Sequence, residues 1–268
     1  MNTVQAACIT LLSLGLSAAQ AQTVPIDLNT WAERGPPANG TWTVSSDGTT
    51  VTQSINGDPT FFVGGPSFID TVLRGSIRVT NAGDDDYIGF VMGYASPTAG
   101  GNDMNYVLLD WKQNNQSSGG FLAQEGFSLS RVNGTVTNYL PGFWGHTDST
   151  SFDVLGTNFS TTNGWQVNTN YDFAITYRTD RVTVDVTGGV FSAPTTVLDV
   201  AGTFPAGQFG FYNYSQAGVV YNGFTLEAAP PVDPNPVPAI PEPSTYALML
   251  AGLGVLAWTV RRKRARVR

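Results

Sequence analysis

Cysteine and histidine occur once each, as Cys8 and His146. Cys8 lies in an N-terminal targeting segment, so the exported chain is expected to lack disulfides, thiolate nucleophiles and cysteine-ligated zinc. One histidine is too few for a histidine-rich zinc site. Between Gln22 and Ala229 only seven Lys and Arg face eighteen Asp and Glu, a net charge of −11. That balance argues against a nucleic-acid partner. Glutamate is scarce too, with only Glu33, Glu125 and Glu227 beside fifteen Asp in that span. The bias suits loops and oxygen-ligand metal sites better than helices. No long stretch of the middle of the chain has a 3.6-residue apolar period, which leaves little room for helices.

Hydrophobic runs occur at the two ends. Ala6 to Ala18 is apolar, and Ala19-Gln20-Ala21 follows as an A-x-A site with cleavage expected between Ala21 and Gln22. No Lys or Arg precedes the run, which departs from the usual secretory pattern; a buried N-terminal helix is the alternative. At the other end, Tyr246 to Val260 carries no charge, and Arg261, Arg262, Lys263, Arg264, Arg266 and Arg268 follow. The run falls short of the roughly 18 residues of a confident span, and Pro243 to Thr245 extend it. The basic cluster predicts a cytoplasmic tail with everything before Tyr246 outside the membrane. The order Pro241-Glu242-Pro243, apolar segment, Arg-rich terminus resembles the bacterial PEP-CTERM sorting signal. That resemblance implies processing by an exosortase and delivery to the cell surface or extracellular matrix; a plain anchor is the alternative. The expected organisation is a signal peptide at 1–21, one domain at 22–229, a Pro-rich spacer at 230–240 and the sorting signal at 241–268.

Period-two alternation recurs through the domain. Tyr171–Arg178 and Arg181–Val186 put Phe173, Ile175, Tyr177 and Val182, Val184, Val186 on one face, with Thr179-Asp180 as the turn. Tyr87–Tyr94 reads as a central strand with Ile88, Phe90, Met92 and Tyr94 on one side and Gly89 and Gly93 on the other. Many short strands separated by Gly, Asn and Asp turns predict an all-β sandwich.

The segments DDDYIGFVMGY (Asp84–Tyr94) and YVLLDWKQ (Tyr106–Gln113) resemble the C-terminal domain of thrombospondins. So do GFSLSRVNG (Gly126–Gly134), LPGFWGHTDS (Leu140–Ser149), the hairpin from Gly164 to Val186 and the closing strands from Gly207 to Leu226. The matches are collinear from about Asp70 to Leu226. The resemblance implies a jelly-roll sandwich of the concanavalin A-like lectin type that binds calcium. The insert Ala95–Asn105 is longer than the family's, and neither the preceding calcium-binding repeats nor the extra cysteine is present.

Three adjacent carboxylates, Asp84, Asp85 and Asp86, need a counter-charge. A calcium ion, which takes six to eight oxygens, would supply it; Arg74, Arg78 or bulk salt are the alternatives. In an extended segment Asp84 and Asp86 project to one side and Asp85 to the other, so all three share an ion only if the backbone kinks. Gly83 allows that. Asp84, Asp85 and Asp86 are the expected calcium ligands. No catalytic residue is assigned. Retaining glycosidases need two carboxylates about 5 Å apart, and none of the three glutamates sits in such a cluster. His146, with Asp148 and Ser149 nearby, reads as a loop or packing residue, or as a base. Of the domain tryptophans, Trp111 and Trp165 are expected in the core, and Trp144, in a Gly-rich loop, exposed for ligand contact. The expected function is a calcium-binding, lectin-like adhesion or polysaccharide-contact protein. A glycan-degrading enzyme on the same fold and a purely structural matrix protein are the alternatives. The expected partners are signal peptidase, exosortase and extracellular polysaccharide, with the inner membrane engaged through 246–260.

Overall fold

A computed structural model describes residues 22–35, 38–95 and 103–231. The segment 1–21 with the Ala21 side of the cleavage site, Pro241, Glu242 and Pro243, and the apolar run 246–260 lie outside the described residues. Among the described residues no helix is long and apolar enough to cross a membrane.

The described chain is built of strands. In order they are β1 Val24–Pro25, β2 Ala32–Arg34, β3 Trp42–Val44, β4 Thr50–Gln53, β5 Thr60–Phe68, β6 Thr71–Val79, β7 Tyr87–Tyr94 and β8 Asp103–Lys112. There follow β9 Gln116–Ser118, β10 Phe121–Ala123, β11 Gly126–Thr135, β12 Phe152–Phe159, β13 Tyr171–Tyr177, β14 Arg181–Gly188, β15 Phe191–Ala201, β16 Gly207–Tyr214 and β17 Val219–Ala228. One sheet runs β15-β14-β13-β6-β17-β4-β3, with β1 on β17; the other runs β12-β11-β8-β7-β16-β5-β2. The central pairings are antiparallel. The two sheets stack as the β-sandwich that the strand pattern predicts, of the jelly-roll type that the resemblance implies.

Alternation decides which side chains meet. Phe173, Ile175 and Tyr177 of β13 and Val182, Val184 and Val186 of β14 are all buried in the core between the sheets. Ile88, Phe90 and Met92 of β7 face them from the other sheet, with Val107, Leu109 and Trp111 of β8. Trp111 stacks on Phe127 at 4.6 Å and meets Tyr171 edge-on at 4.7 Å.

The opposite face of the seven-stranded sheet is not left to solvent. Tyr87, Val91, Tyr106, Leu108, Val132 and Tyr212 form a second apolar cluster there with Phe143 and Trp144. Those last two come from Leu140–Trp144, a single wide helical turn in the connection between β11 and β12. All eight residues of β7 are therefore buried, the fate of a strand covered on both sides. Tyr94 departs from the expected alternation. It joins the second cluster and stacks on Tyr106 at 5.8 Å. Gly93, at φ +62, and a register shift against β16 turn the strand over just before it. Gly89 meets the facing sheet directly, its N–H donating to the Tyr221 hydroxyl at 3.3 Å.

Candidate functional site

Asp84, Asp85 and Asp86 stand at the mouth of β7, and their backbone does not follow an extended path. One carboxylate oxygen from each lies within 4.8 Å of the others. The turn begins at Asn81, whose Oδ1 accepts the Gly83 N–H at 2.8 Å. Asp86 is then held from both sides. Its N–H donates to Gln216 Oε1 at 3.0 Å, and its carbonyl accepts the Trp165 indole N–H at 3.1 Å.

The counter-charge comes from a residue the sequence reading passed over. Lys112 ends β8, and its Nζ is 2.6 Å from Asp86 Oδ1 and 3.2 Å from Asp85 Oδ1. It also donates to the Asp85 carbonyl and to Gln116 Oε1, both at 3.0 Å. The lysine is fully buried, and its ammonium lies 5.4 Å from the Tyr87 ring and 5.0 Å from the Trp144 ring. The two arginines suggested by sequence are engaged elsewhere. Arg74 pairs with Glu227 at 2.8 Å, and Arg78 donates to Asn168 Oδ1 at 3.3 Å. Burial pushes the Asp86 carboxyl up to about 6, against the pull of Lys112.

The sign of the resulting pH dependence follows. An unfolded Asp releases its proton near 4, whereas native Asp86 holds one up to about 6. Between those values the native state binds more protons, so this group adds stability as pH falls from about 6.5 toward 4. In chelator-containing buffer, the melting temperature of wild type relative to Asp86→Asn is expected to rise over that window. A difference that falls there contradicts the assignment.

A second buried polar pair lies on the same face of the sheet. Asp110, two residues before Lys112, is buried beside the imidazole of His146, whose Nε2 is 3.0 Å from both carboxylate oxygens. Burial pushes the Asp110 carboxyl up, and His146 pulls it back. His146 Nδ1 is buried without a partner, and the residue adopts φ +47. The base reading with Asp148 and Ser149 is not assembled. Asp148 caps the Val154 N–H and Ser149 Oγ accepts the Ser151 N–H. The imidazole is held instead by the buried Asp110 carboxylate.

Trp111 and Trp165 are in the core, as expected. Trp144 corrects the reading that made it exposed, since only 4% of its surface is accessible. Its ring meets Tyr87 and Tyr214 edge-on at 5.8 and 5.9 Å. The Gly-rich loop that carries it is pulled onto the sheet by the Tyr87 hydroxyl, which donates to the Trp144 carbonyl at 2.6 Å. The edge of Trp144 lines a polar cleft of about 500 Å³. Asp84, Asp58, Asn39, Asn56 and Ser117 line it as well. Asn56 donates to Asp84 Oδ2, and Asn39 donates to Asp58 Oδ2 at 3.2 Å. The three glutamates are scattered: Glu227 on Arg74, Glu125 on the Gly164 N–H, and Glu33 on β2.

The oxygens around Lys112 already converge on a positive charge, so this donor set suits a hard cation. Lys112 occupies its inner side. Asp84 and Asp86 both line the cleft, and of the two Asp84 is the one that does not contact Lys112.

The family profile of the thrombospondin C-terminal region matches residues 37–229, and that of the PEP-CTERM protein-sorting motif matches residues 239–264. Thrombospondin-3b of Danio rerio is 26% identical over 211 residues, 75% of this chain and 22% of that protein. Thrombospondin-2 of Gallus gallus is 29% identical over 221 residues, 77% of this chain and 18% of that protein. Cartilage oligomeric matrix protein of Bos taurus is 27% identical over 213 residues, 75% of this chain and 26% of that protein. The chain thus spans about a quarter or less of the length of these relatives. Among solved structures, the exoplasmic/lumenal domain of VIP36 superposes in its Ca2+/Man2-bound form with a TM-score of 0.52 at 12% identity. That match covers 82% of this chain and 93% of the VIP36 chain. The Ca2+/Man3GlcNAc-bound form gives 0.51 at 10% identity, over 81% and 93%. These likenesses establish a shared lectin-like fold.

Proposed function

The chain belongs to the thrombospondin C-terminal region family and carries a signal for export and sorting to the cell surface; from that premise we propose that its domain is a calcium-binding, carbohydrate-contacting adhesion module. The observation that carries this reading is the polar cleft at the mouth of the sandwich. Carboxylates and amides line it, Asp84 and Asp86 among them, and Lys112 holds Asp86 and Asp85 from the inner side. Such a wall accepts and donates hydrogen bonds to sugar hydroxyls, and its acids hold a hard cation. The VIP36 domain of like fold was solved with Ca2+ and mannose-containing sugars, which agrees with both halves of the proposal.

Asp84, Asp85 and Asp86 are the proposed ligands, and the cation would offset the negative charge that Lys112 leaves over. Isothermal titration with calcium chloride is expected to give saturable heat for wild type and a loss of about tenfold or more in affinity for Asp84→Ala, in line with removal of one charged ligand. Equal titrations for the two proteins remove Asp84 from the site, and no heat in either removes the calcium. Glycan binding is checked with a panel of polysaccharides. Retention without release of reducing ends supports a binder, release of reducing ends supports the glycosidase alternative, and neither leaves a structural matrix role.

The domain boundaries at 22, 229 and 241, cleavage by signal peptidase between Ala21 and Gln22, and exosortase processing near Pro241, Glu242 and Pro243 are part of the same proposal. The apolar run 246–260 would hold the chain in the inner membrane until processing.

A further inference from the structure

A groove of about 450 Å³ lies on the outer face of the eight-stranded sheet and shares no lining residue with the cleft. Its origin is a local defect. The pairing of β17 with β6 shifts register between Asn222 and Thr225, and Gly223, at φ +67, fills the bulge with no side chain. The sheet surface is dished there. Two rows of side chains cross the dish. In one, Arg74, Ala174 and Asp185 stand opposite one another on β6, β13 and β14. In the other, Asn222, Ser76 and Asp172 do so on β17, β6 and β13. Phe173 points into the core between Asp172 and Ala174, so its two neighbours point out.

The chemistry of the two rows selects a ligand class. Arg74 is already neutralised by Glu227 at 2.8 Å, and Asp172 and Asp185 flank the dish, so an anionic ligand is repelled. Asp185 accepts from Thr196 Oγ1 at 2.6 Å and Asp172 from Asn170 Nδ2 at 3.2 Å through one oxygen each, and each carboxylate has a second oxygen to offer. Asn222 Oδ1 accepts from Thr50 Oγ1 at 2.6 Å, which orients the amide and leaves Nδ2 as a donor. Acceptors and donors thus alternate over a floor of small side chains, a pattern that fits the hydroxyls of an uncharged polysaccharide.

We infer that the domain is bivalent: the outer-face groove is a second site for neutral polysaccharide, and one copy bridges two glycan chains. The inference rests on the carbohydrate reading of the cleft and extends it, because two separate sites allow a monomer to cross-link a matrix. It needs no second copy of the chain.

The test uses the exported protein and beads bearing a neutral glucan, mannan or galactan, with the same glycan fluorescently labelled in solution. Wild type is expected to bind the beads and to capture the soluble glycan. Ala174→Arg fills the groove from an outward position, and Ser117→Arg does the same at the cleft. Each single variant is expected to stay on the beads and to lose bridging by about tenfold or more, while the double variant loses both. Bridging unchanged in Ala174→Arg overturns the second site and leaves the cleft intact, because a dimer of one-site copies would bridge in that way. Bead binding abolished by Ala174→Arg and untouched by Ser117→Arg overturns both the cleft and bivalency. No retention of wild type on any glycan overturns both readings. Ala174→Ser, which keeps the dish open, is expected to bridge like wild type; if it fails too, the loss is one of folding and the groove is excluded as its cause.

Discussion

Lys112→Met is expected to cost the domain about 3–5 kcal/mol, the range for breaking a buried ion pair from one side. For a domain of this size that is a fall in melting temperature of about 10 °C. Methionine keeps the stem packed against Tyr87 and Trp144, so the loss reports the charge. The four oxygens that meet the ammonium, two of them on carboxylates, would lose it together. Asp86 is the costly partner, being 2% exposed. Its escape is to keep a proton, which the loss of the lysine's downward pull makes easier, so the penalty shrinks as pH falls. Lys112→Met/Asp86→Leu is expected to recover most of the loss, because a buried pair replaced by apolar groups is often neutral. Chemical denaturation at pH 7.5 and pH 5 measures all three. A Lys112→Met variant as stable as wild type at pH 7.5 would show that the ammonium does not hold the acids.

His146→Phe is expected to cost about 1–3 kcal/mol, the range for leaving a buried polar group without its hydrogen-bond partner. The phenyl ring fits among the Tyr87, Phe152 and Phe159 rings that surround the imidazole, so packing alone predicts little change. What is lost is the partner of Asp110, which is 1% exposed. Asp110→Asn in the same background is expected to restore about half of the loss by removing the unpaired charge. The readout that separates anchoring from packing is the near-ultraviolet signal of Trp144. It should change in His146→Phe, since His146 lies two residues beyond it and ties that loop to β8. An unchanged signal with full stability makes the pair ornamental.

Much of this was legible in the sequence and some was not, for physical reasons. The hairpin β13–β14 announces itself because its inward positions are apolar without exception and its outward ones, Ala174 apart, are polar or charged. The first five strands and β15 carry weaker signals, since Thr, Ser and Gly interrupt their alternation and outer positions carry no apolar stripe. Asp84, Asp85 and Asp86 were conspicuous as neighbours, and their partner was not. Lys112 is 26 residues from Asp86 and meets it only because β7 and β8 pair with Ile88 opposite Trp111. A signal did exist. In YVLLDWK the alternation places Asp110 and Lys112 on one face, and Lys112 is the sole lysine before the C-terminal tail. Tyr106 and Leu108 share that face, and large apolar residues on the same face as the charges mark one that is covered. Trp144 was misread because Gly neighbours suggest an open loop, whereas the loop is laid onto the sheet by contacts from Tyr87 and Tyr214 far away in sequence.

Lys112 has one more consequence. The innermost positive charge at the rim is covalently part of the chain and cannot be washed out. Any divalent ion gathered by Asp84 is then an outer guest, and shape and grip come under separate control. On the proposed calcium-binding reading, stripping hardness from the surrounding water should loosen the hold on a surface while leaving the two sheets folded and ready to take hold again.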